Sequence, residues 1–203
     1  REPIGVVAAI TPWNVPTQIN LAKIAPALAA GCTVILKPAP QTPWSALALG
    51  RLVTEHTDIP PGVFNVISAA NPAIGALLTE DPRVDMISFT GSTATGKTIM
   101  RAAAQHVTKV FLELGGKSAM ILLDDLDDVS GPAMAAAFGT ALVCGQGCAL
   151  STRILIPHSS YEEAVATIGE LFGSITPGPP TVDGSTMGPL IDLRQRDRVE
   201  GYV

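Results

Sequence analysis

Gly5-Val6-Val7-Ala8-Ala9-Ile10-Thr11 is followed, after one helical pattern, by Thr33-Val34-Ile35-Leu36-Lys37. Two short runs rich in Val and Ile on either side of an Ala- and Leu-rich stretch are the signature of a βαβ unit with a parallel sheet. The alternation continues outward. Strands are predicted at residues 5–11, 33–37, 63–67, 86–90 and 109–114, with helices at about 17–30, 43–57, 72–78 and 93–105. Thr42-Pro43 and Asn71-Pro72 each set a capping residue before a first-turn proline, a helix-start signal. After Gly115-Gly116 the pattern restarts with a strand at 119–123, an acidic turn, an Ala-rich helix at about 128–143, a strand at 153–157 and a helix at 161–172. Residues 176–187 read as a surface loop, and 193–203 as the opening of a helix. The expectation is a wound α/β layer over 1–115 and part of a second α/β domain over 116–203.

Composition narrows the partners. The net charge is -5, and the 13 Lys and Arg form no basic stripe, so the footprint of a nucleic-acid binder is missing. No apolar run approaches the ~20 residues needed to span a bilayer. Cys32, Cys144 and Cys148 are odd in number and lack paired C-x-x-C or His spacing, which argues against a disulfide framework and against a metal site and for a reducing compartment. The start at Arg1 shows neither an initiator Met nor a signal pattern, so an internal piece of a longer chain is expected.

Ligands of a parallel sheet sit outside the carboxyl ends of its strands. Those ends carry Asn14, Lys37, Ser92 and Glu113. Asn14 also suits a plain turn, Lys37 a solvated strand end, and Ser92 a helix cap. Glu113 shares a strand face with Phe111, opposite Val110, Leu112 and Leu114, so a carboxylate is expected to end a half-buried strand, where desolvation would favour a general base. Cys148 follows two glycines at what reads as a helix start. Dipole and free N–H groups there would favour the nucleophilic thiolate, and its own N–H could hold an oxyanion. A buried, inert thiol is the alternative.

A different enzyme class competes for one segment. Gly91-Ser92-Thr93-Ala94-Thr95-Gly96-Lys97-Thr98 matches G-x-x-x-x-G-K-[ST] after a strand, and Met120-Ile121-Leu122-Leu123-Asp124 could pass for a Mg²⁺-binding strand. That P-loop reading leaves Asn14, Glu113 and Cys148 unexplained. His56, His106 and His158 lie apart from the cysteines, and the acids at 124–128 suit a solvated turn.

Pro12-Trp13-Asn14, Lys37-Pro38-Ala39, Phe89-Thr90-Gly91-Ser92, Leu112-Glu113-Leu114-Gly115-Gly116-Lys117 and Gly145-Gln146-Gly147-Cys148 stand in the order and rough spacing of the aldehyde dehydrogenase superfamily, which the whole chain resembles. The resemblance implies a Rossmann-like cofactor domain over 1–115, with helices on both faces of its sheet. It implies a partial catalytic domain over 116–203. Cys148 would be the nucleophile, Glu113 the base that activates water, and Asn14 an oxyanion donor with the Cys148 N–H. In the family's binding mode Lys37 reaches the adenine ribose, and Ser92 and Thr95, beside Gly91, meet the pyrophosphate. Ile10, Pro12, Trp13 and Leu114 line the cleft. Pro40 stands where NAD-preferring members usually carry glutamate, so NAD or NADP is expected. Val143 and Cys144 replace the Asn-containing stretch common before Gly-Gln, and Asn71 stands where glycine is common. The resemblance further implies a small-molecule aldehyde substrate, no nucleic acid or membrane partner, a homo-oligomer and a cytoplasmic location. The family's N-terminal segment, its oligomerisation strands and its later Glu-containing motif are missing from the chain. A catalytically inactive domain that keeps the fold is the remaining alternative.

Overall fold

The computed structural model describes residues 2–203; Arg1, which bears on the reading of the chain start, lies outside them. The chain divides into two compact units, one ending at Gly115 and the other Gly116–Val203.

In the first unit, strands β1 (Val6–Ile10), β2 (Thr33–Lys37), β3 (Phe64–Val66), β4 (Met86–Gly91) and β5 (Lys109–Leu114) form one parallel sheet in the order β3-β2-β1-β4-β5. Helices α1 (Pro16–Ala29), α2 (Pro43–His56), α3 (Ala73–Glu80) and α4 (Thr93–Ala103) connect them. Strand alternation sorts the apolar residues onto two faces. Val7, Ala9, Val34 and Leu36 pack with Ile24 of α1 and Ala46 of α2. Ala8, Ile10, Ile87 and Phe89 pack with Ile99 and Ala103 of α4 and Leu78 of α3. Leu36, Ile87 and Val34 are among the largest fully buried side chains, each stabilising the fold by about 1.5–3 kcal/mol.

A polar bridge fixes the turn after β1. Asn20, fully buried on α1, accepts from Thr11 Oγ1 at 2.7 Å and donates Nδ2 to Ser45 Oγ of α2 at 3.4 Å. The two helix-start signals behave differently. Asn71 Oδ1 accepts from Ala73 N–H at 2.9 Å, one residue ahead of Pro72, which holds the cap position of α3. Thr42 flanks Pro43 as expected but makes no side-chain cap bond, and its buried Oγ1 has no partner among the described residues.

In the second unit, β6 (Ala119–Ile121) and β7 (Arg153–Leu155) pair in parallel, with Met120 opposite Ile154. They are covered by α5 (Ser130–Ala141) and α6 (Tyr161–Ser174); Leu122, Val129, Ala133 and Ala164 form the core. A last helix, α7 (Leu193–Glu200), is capped by Asp192, whose Oδ1 accepts from Gln195 N–H at 3.0 Å. The helix expected to reach residue 143 stops at Ala141. Val143, Cys144 and Gly145 take φ of 52°, 56° and 70°, a left-handed run that no right-handed helix can contain. No helix among the described residues is long and apolar enough to cross a membrane.

Candidate active site

The carboxyl edge of the first unit's sheet carries two different surfaces, one on each face. On the α3–α4 face a cavity of about 470 Å³ is lined by Ile10, Lys37 and Phe89 from three strands, with α3 and α4 as its walls. Its size fits one half of a dinucleotide within the usual range of about 300–1,000 Å³. Lys37 is buried, its Nζ donates to Pro38 O at 3.0 Å, and burial lowers its pKa. Thr95 lies in the same wall, in the first turn of α4. Ser92 caps that helix, accepting from Thr95 N–H at 3.2 Å, while the two hydroxyls lie 2.9 Å apart. Hydroxyls and unpaired N–H groups at a helix start suit a pyrophosphate. Of the cofactor residues expected from sequence, the cavity brings together Ile10, Lys37 and Thr95. Gly91 and Ser92 stand at the junction of β4 and α4, Pro12 and Trp13 in the turn after β1, and Leu114 packs into the core of this face.

The P-loop reading fails on local geometry. Such a motif needs a loop wrapped around phosphate ahead of its helix, but here α4 begins at Thr93, so Thr95, Gly96 and Lys97 are already helical. Gly96 is buried, and a Cβ there would meet Leu114 Cδ2 at 2.8 Å. Its role is close packing of helix on strand. Lys97 is exposed.

Glu113 and Leu114 are neighbours on β5 that take opposite faces. Val110, Leu112 and Leu114 pack against the α3–α4 core, so Glu113 and Phe111 lie on the other side. The expected desolvation of the Glu113 carboxyl is absent: β5 is the edge strand and Glu113 is exposed, as is half of Phe111. What faces it instead is Lys23 of α1, a residue passed over in the sequence. Lys23 is 7% exposed, donates Nζ to Ser88 Oγ at 3.0 Å and lies 5.7 Å over the Phe111 ring. Burial pulls its pKa down to about 8, against the opposing charge of Glu113, which raises it. The signal was present: Lys23 shares the buried stripe of α1 with Asn20 and Ile24, where a lysine is out of place. Asn14 is half-buried in the turn that leads into α1.

In the second unit no helix starts at Cys148. The residue sits half-exposed in a turn between the 3-10 turn Leu142–Gly145 and β7, so no helix dipole points at its thiol. Its setting is strained instead. Val143 and Cys144 are the non-glycine left-handed residues of this unit, at about 1–2 kcal/mol each. A Cβ at Gly147 would collide with the Leu150 side chain, which would have to shift to admit one. Among the described hydrogen bonds none uses the Cys148 N–H, which leaves that donor for a ligand. Gln146 holds the turn, and sequence reasoning passed over it as part of the motif. Cys32 is buried beneath the first unit's sheet.

The aldehyde dehydrogenase family profile matches residues 1–203. Among the solved structures similar to this chain are three aldehyde-oxidising or NADP-dependent enzymes by name. A cysteine-to-alanine variant of aldehyde dehydrogenase C from Pseudomonas syringae, complexed with NAD+ and octanal, is 40% identical with a TM-score of 0.94, covering 100% of this chain and 41% of that one. A Mycobacterium tuberculosis aldehyde dehydrogenase complexed with NAD+ is 46% identical at a TM-score of 0.91, covering 100% and 41%. An Escherichia coli NADP-dependent enzyme is 41% identical at 0.91, covering 99% and 41%. The chain spans about 42% of the length of the curated relatives it matches.

Proposed function

The chain belongs to the aldehyde dehydrogenase family, and from that premise we propose that the protein oxidises a small-molecule aldehyde to a carboxylic acid with NAD or NADP, through a covalent adduct on Cys148. The observation that carries this reading is the cavity of about 470 Å³ that joins buried Lys37 to the hydroxyl-rich start of α4.

In this reading the first unit is the cofactor domain and the second carries the nucleophile. Lys37 holds the adenosine half, Ser92 and Thr95 with Gly91 receive the pyrophosphate, and Ile10, Pro12, Trp13 and Leu114 form the apolar walls. Nicotinamide, when bound, supplies the hydride acceptor. The Cys148 thiolate forms a bond to the aldehyde carbon, and the carbonyl oxygen becomes an alkoxide. Asn14 and the Cys148 N–H stabilise that oxyanion, by about 2.7–4 kcal/mol per donor. Collapse of the alkoxide expels the hydride with its electron pair and leaves a thioester on Cys148. Glu113 takes a proton from water, the water oxygen bonds to the acyl carbon, and the carbon–sulfur bond breaks to release the acid. Exposure on an edge strand lets Glu113 exchange that proton with solvent.

Relatives supply both cofactor precedents, two solved with NAD+ and one called NADP-dependent. Pro40 is exposed and offers no carboxylate to oppose a 2′-phosphate, so both cofactors are accepted in this proposal. Octanal in a relative supports an aldehyde substrate. Three free cysteines suit a reducing compartment, and the reading extends to the cytoplasm and to a homo-oligomer.

The test is to label the protein with limiting iodoacetamide and quantify Cys32, Cys144 and Cys148 separately, with NAD, NADP, Mg²⁺-ATP or nothing added. Cys32, at 4% exposure, is expected to react slowest. Cys148 is expected to react fastest and to change rate with a nicotinamide cofactor. Indifference of Cys148 to both cofactors, with Cys148→Ser still oxidising aldehydes, would sink the proposal.

A further inference from the structure

One side chain joins the turn ahead of Cys148 to a segment far along the chain. The Gln146 backbone N–H donates to Val143 O at 3.0 Å, and its side-chain Nε2 donates to the same carbonyl at 3.3 Å. These two bonds close the left-handed run through Val143, Cys144 and Gly145. The other end of the amide serves a different partner: Oε1 accepts from Ile191 N–H at 3.1 Å, 45 residues on. A glutamine is suited to this, since one end donates and the other accepts.

The same two segments come close at a second point: a Cβ built on Gly188 would stand 3.6 Å from Cys144 Sγ. The Gly188 segment is itself anchored. Residues 176–187 form a loop closed by the Pro177–Met187 bridge, by Gly178 N–H to Met187 O at 2.9 Å and by Thr176 N–H to Thr186 Oγ1 at 2.8 Å. The closed loop, residues 188–191 and the turn before Cys148 are thus connected within the second unit.

We propose that Gln146 is a positioning residue for Cys148. Its amide ties the strained turn to residues 188–191 and so sets where the thiol and the Cys148 N–H, two residues on, present themselves to substrate. The inference rests on the reading of Cys148 as nucleophile. Chemistry depends on the reacting atoms being held close to the productive geometry, so a turn free to relax costs turnover more than it costs cofactor binding.

Three substitutions separate the contributions. Gln146→Met keeps the length and removes the amide that reaches Val143 O and Ile191 N–H. Gln146→Glu keeps an acceptor for Ile191 N–H but sets an anionic oxygen against Val143 O. Ile191→Pro removes the same N–H from the far end and leaves Gln146 in place. The measurements are kcat and KM for aldehyde and for cofactor, and the separate alkylation rates of Cys144 and Cys148 over pH. Gln146→Met and Ile191→Pro are each expected to lower kcat by about tenfold with the cofactor KM changed less than about twofold. Cys148 alkylation is expected to slow and Cys144, no longer held near Gly188, to react faster; Gln146→Glu is expected to fall between wild type and Gln146→Met. Wild-type kcat and wild-type alkylation in either clamp-breaking variant overturns the proposal, as does an equal loss in kcat and in cofactor affinity. A variant that does not fold leaves the decision to the other two. Cys148→Ser, measured alongside, isolates the premise: if it still oxidises aldehydes, the nucleophile reading fails and not the clamp alone.

Discussion

Replacing Lys23 with methionine removes a cation that the first unit buries at a cost. The side chain is 7% exposed, with Ser88 Oγ as its hydrogen-bond partner at 3.0 Å. Burial lowers its pKa from 10.5 to about 8, with Glu113 opposing the shift. Because the folded value lies below the unfolded one, the unfolded chain holds the proton more tightly between them, and stability rises with pH across that window. Below it, both states are charged and the fold bears the whole penalty. The gap between the two values corresponds to about 3 kcal/mol. Wild type should therefore gain about 2–3 kcal/mol in unfolding free energy from this residue between pH 7 and pH 10, a gain that Lys23→Met lacks. Methionine leaves Ser88 Oγ without its donor, a loss of about 1 kcal/mol that is the same at both pH values. The assay is urea unfolding followed by tryptophan fluorescence, which reports the first unit alone because Trp13 and Trp44 both belong to it. Other titrating groups cancel in the difference between wild type and variant at each pH. A difference that stays constant between pH 7 and pH 10, within about 0.5 kcal/mol, refutes the claim that Lys23 is held against its charge.

Three further outcomes are expected. Val107, 91% exposed with φ of 55°, is a β-branched residue in the left-handed region after α4; Val107→Gly should stabilise the first unit by about 0.5–1 kcal/mol in the same urea assay, and no gain would remove the strain argument. Asn20→Ala breaks the bridge from Thr11 to Ser45 and leaves the Thr11 hydroxyl without its acceptor; thermal unfolding should show a loss of about 2–3 kcal/mol. Lys37→Met should weaken NAD and NADP binding about tenfold by calorimetry, whereas Lys97→Met leaves it unchanged. The opposite ranking would restore the phosphate-loop reading of Gly91 to Thr98.

The wound α/β layer was legible because its signals are local. Strand alternation in Val6–Ile10 and Thr33–Lys37, prolines at helix starts and the glycine pair at 115–116 each act within a few residues of themselves. Motif order was equally a property of the chain, and it pointed to the family before any contact was known. Tertiary structure decided which groups share a surface. Glu113 and Leu114 are adjacent in sequence, yet the strand's period of two sends one toward Lys23 and the other into the core of the α3–α4 face. Whether Glu113 is desolvated depended on β5 being the edge strand, which strand order alone reveals. The helix expected at Cys148 could not be denied from composition, because a left-handed run through Val143 and Cys144 contradicts what those residues prefer by themselves and is held by Gln146 reaching Ile191. Propensity is a local average, and a contact spanning 45 residues overrules it.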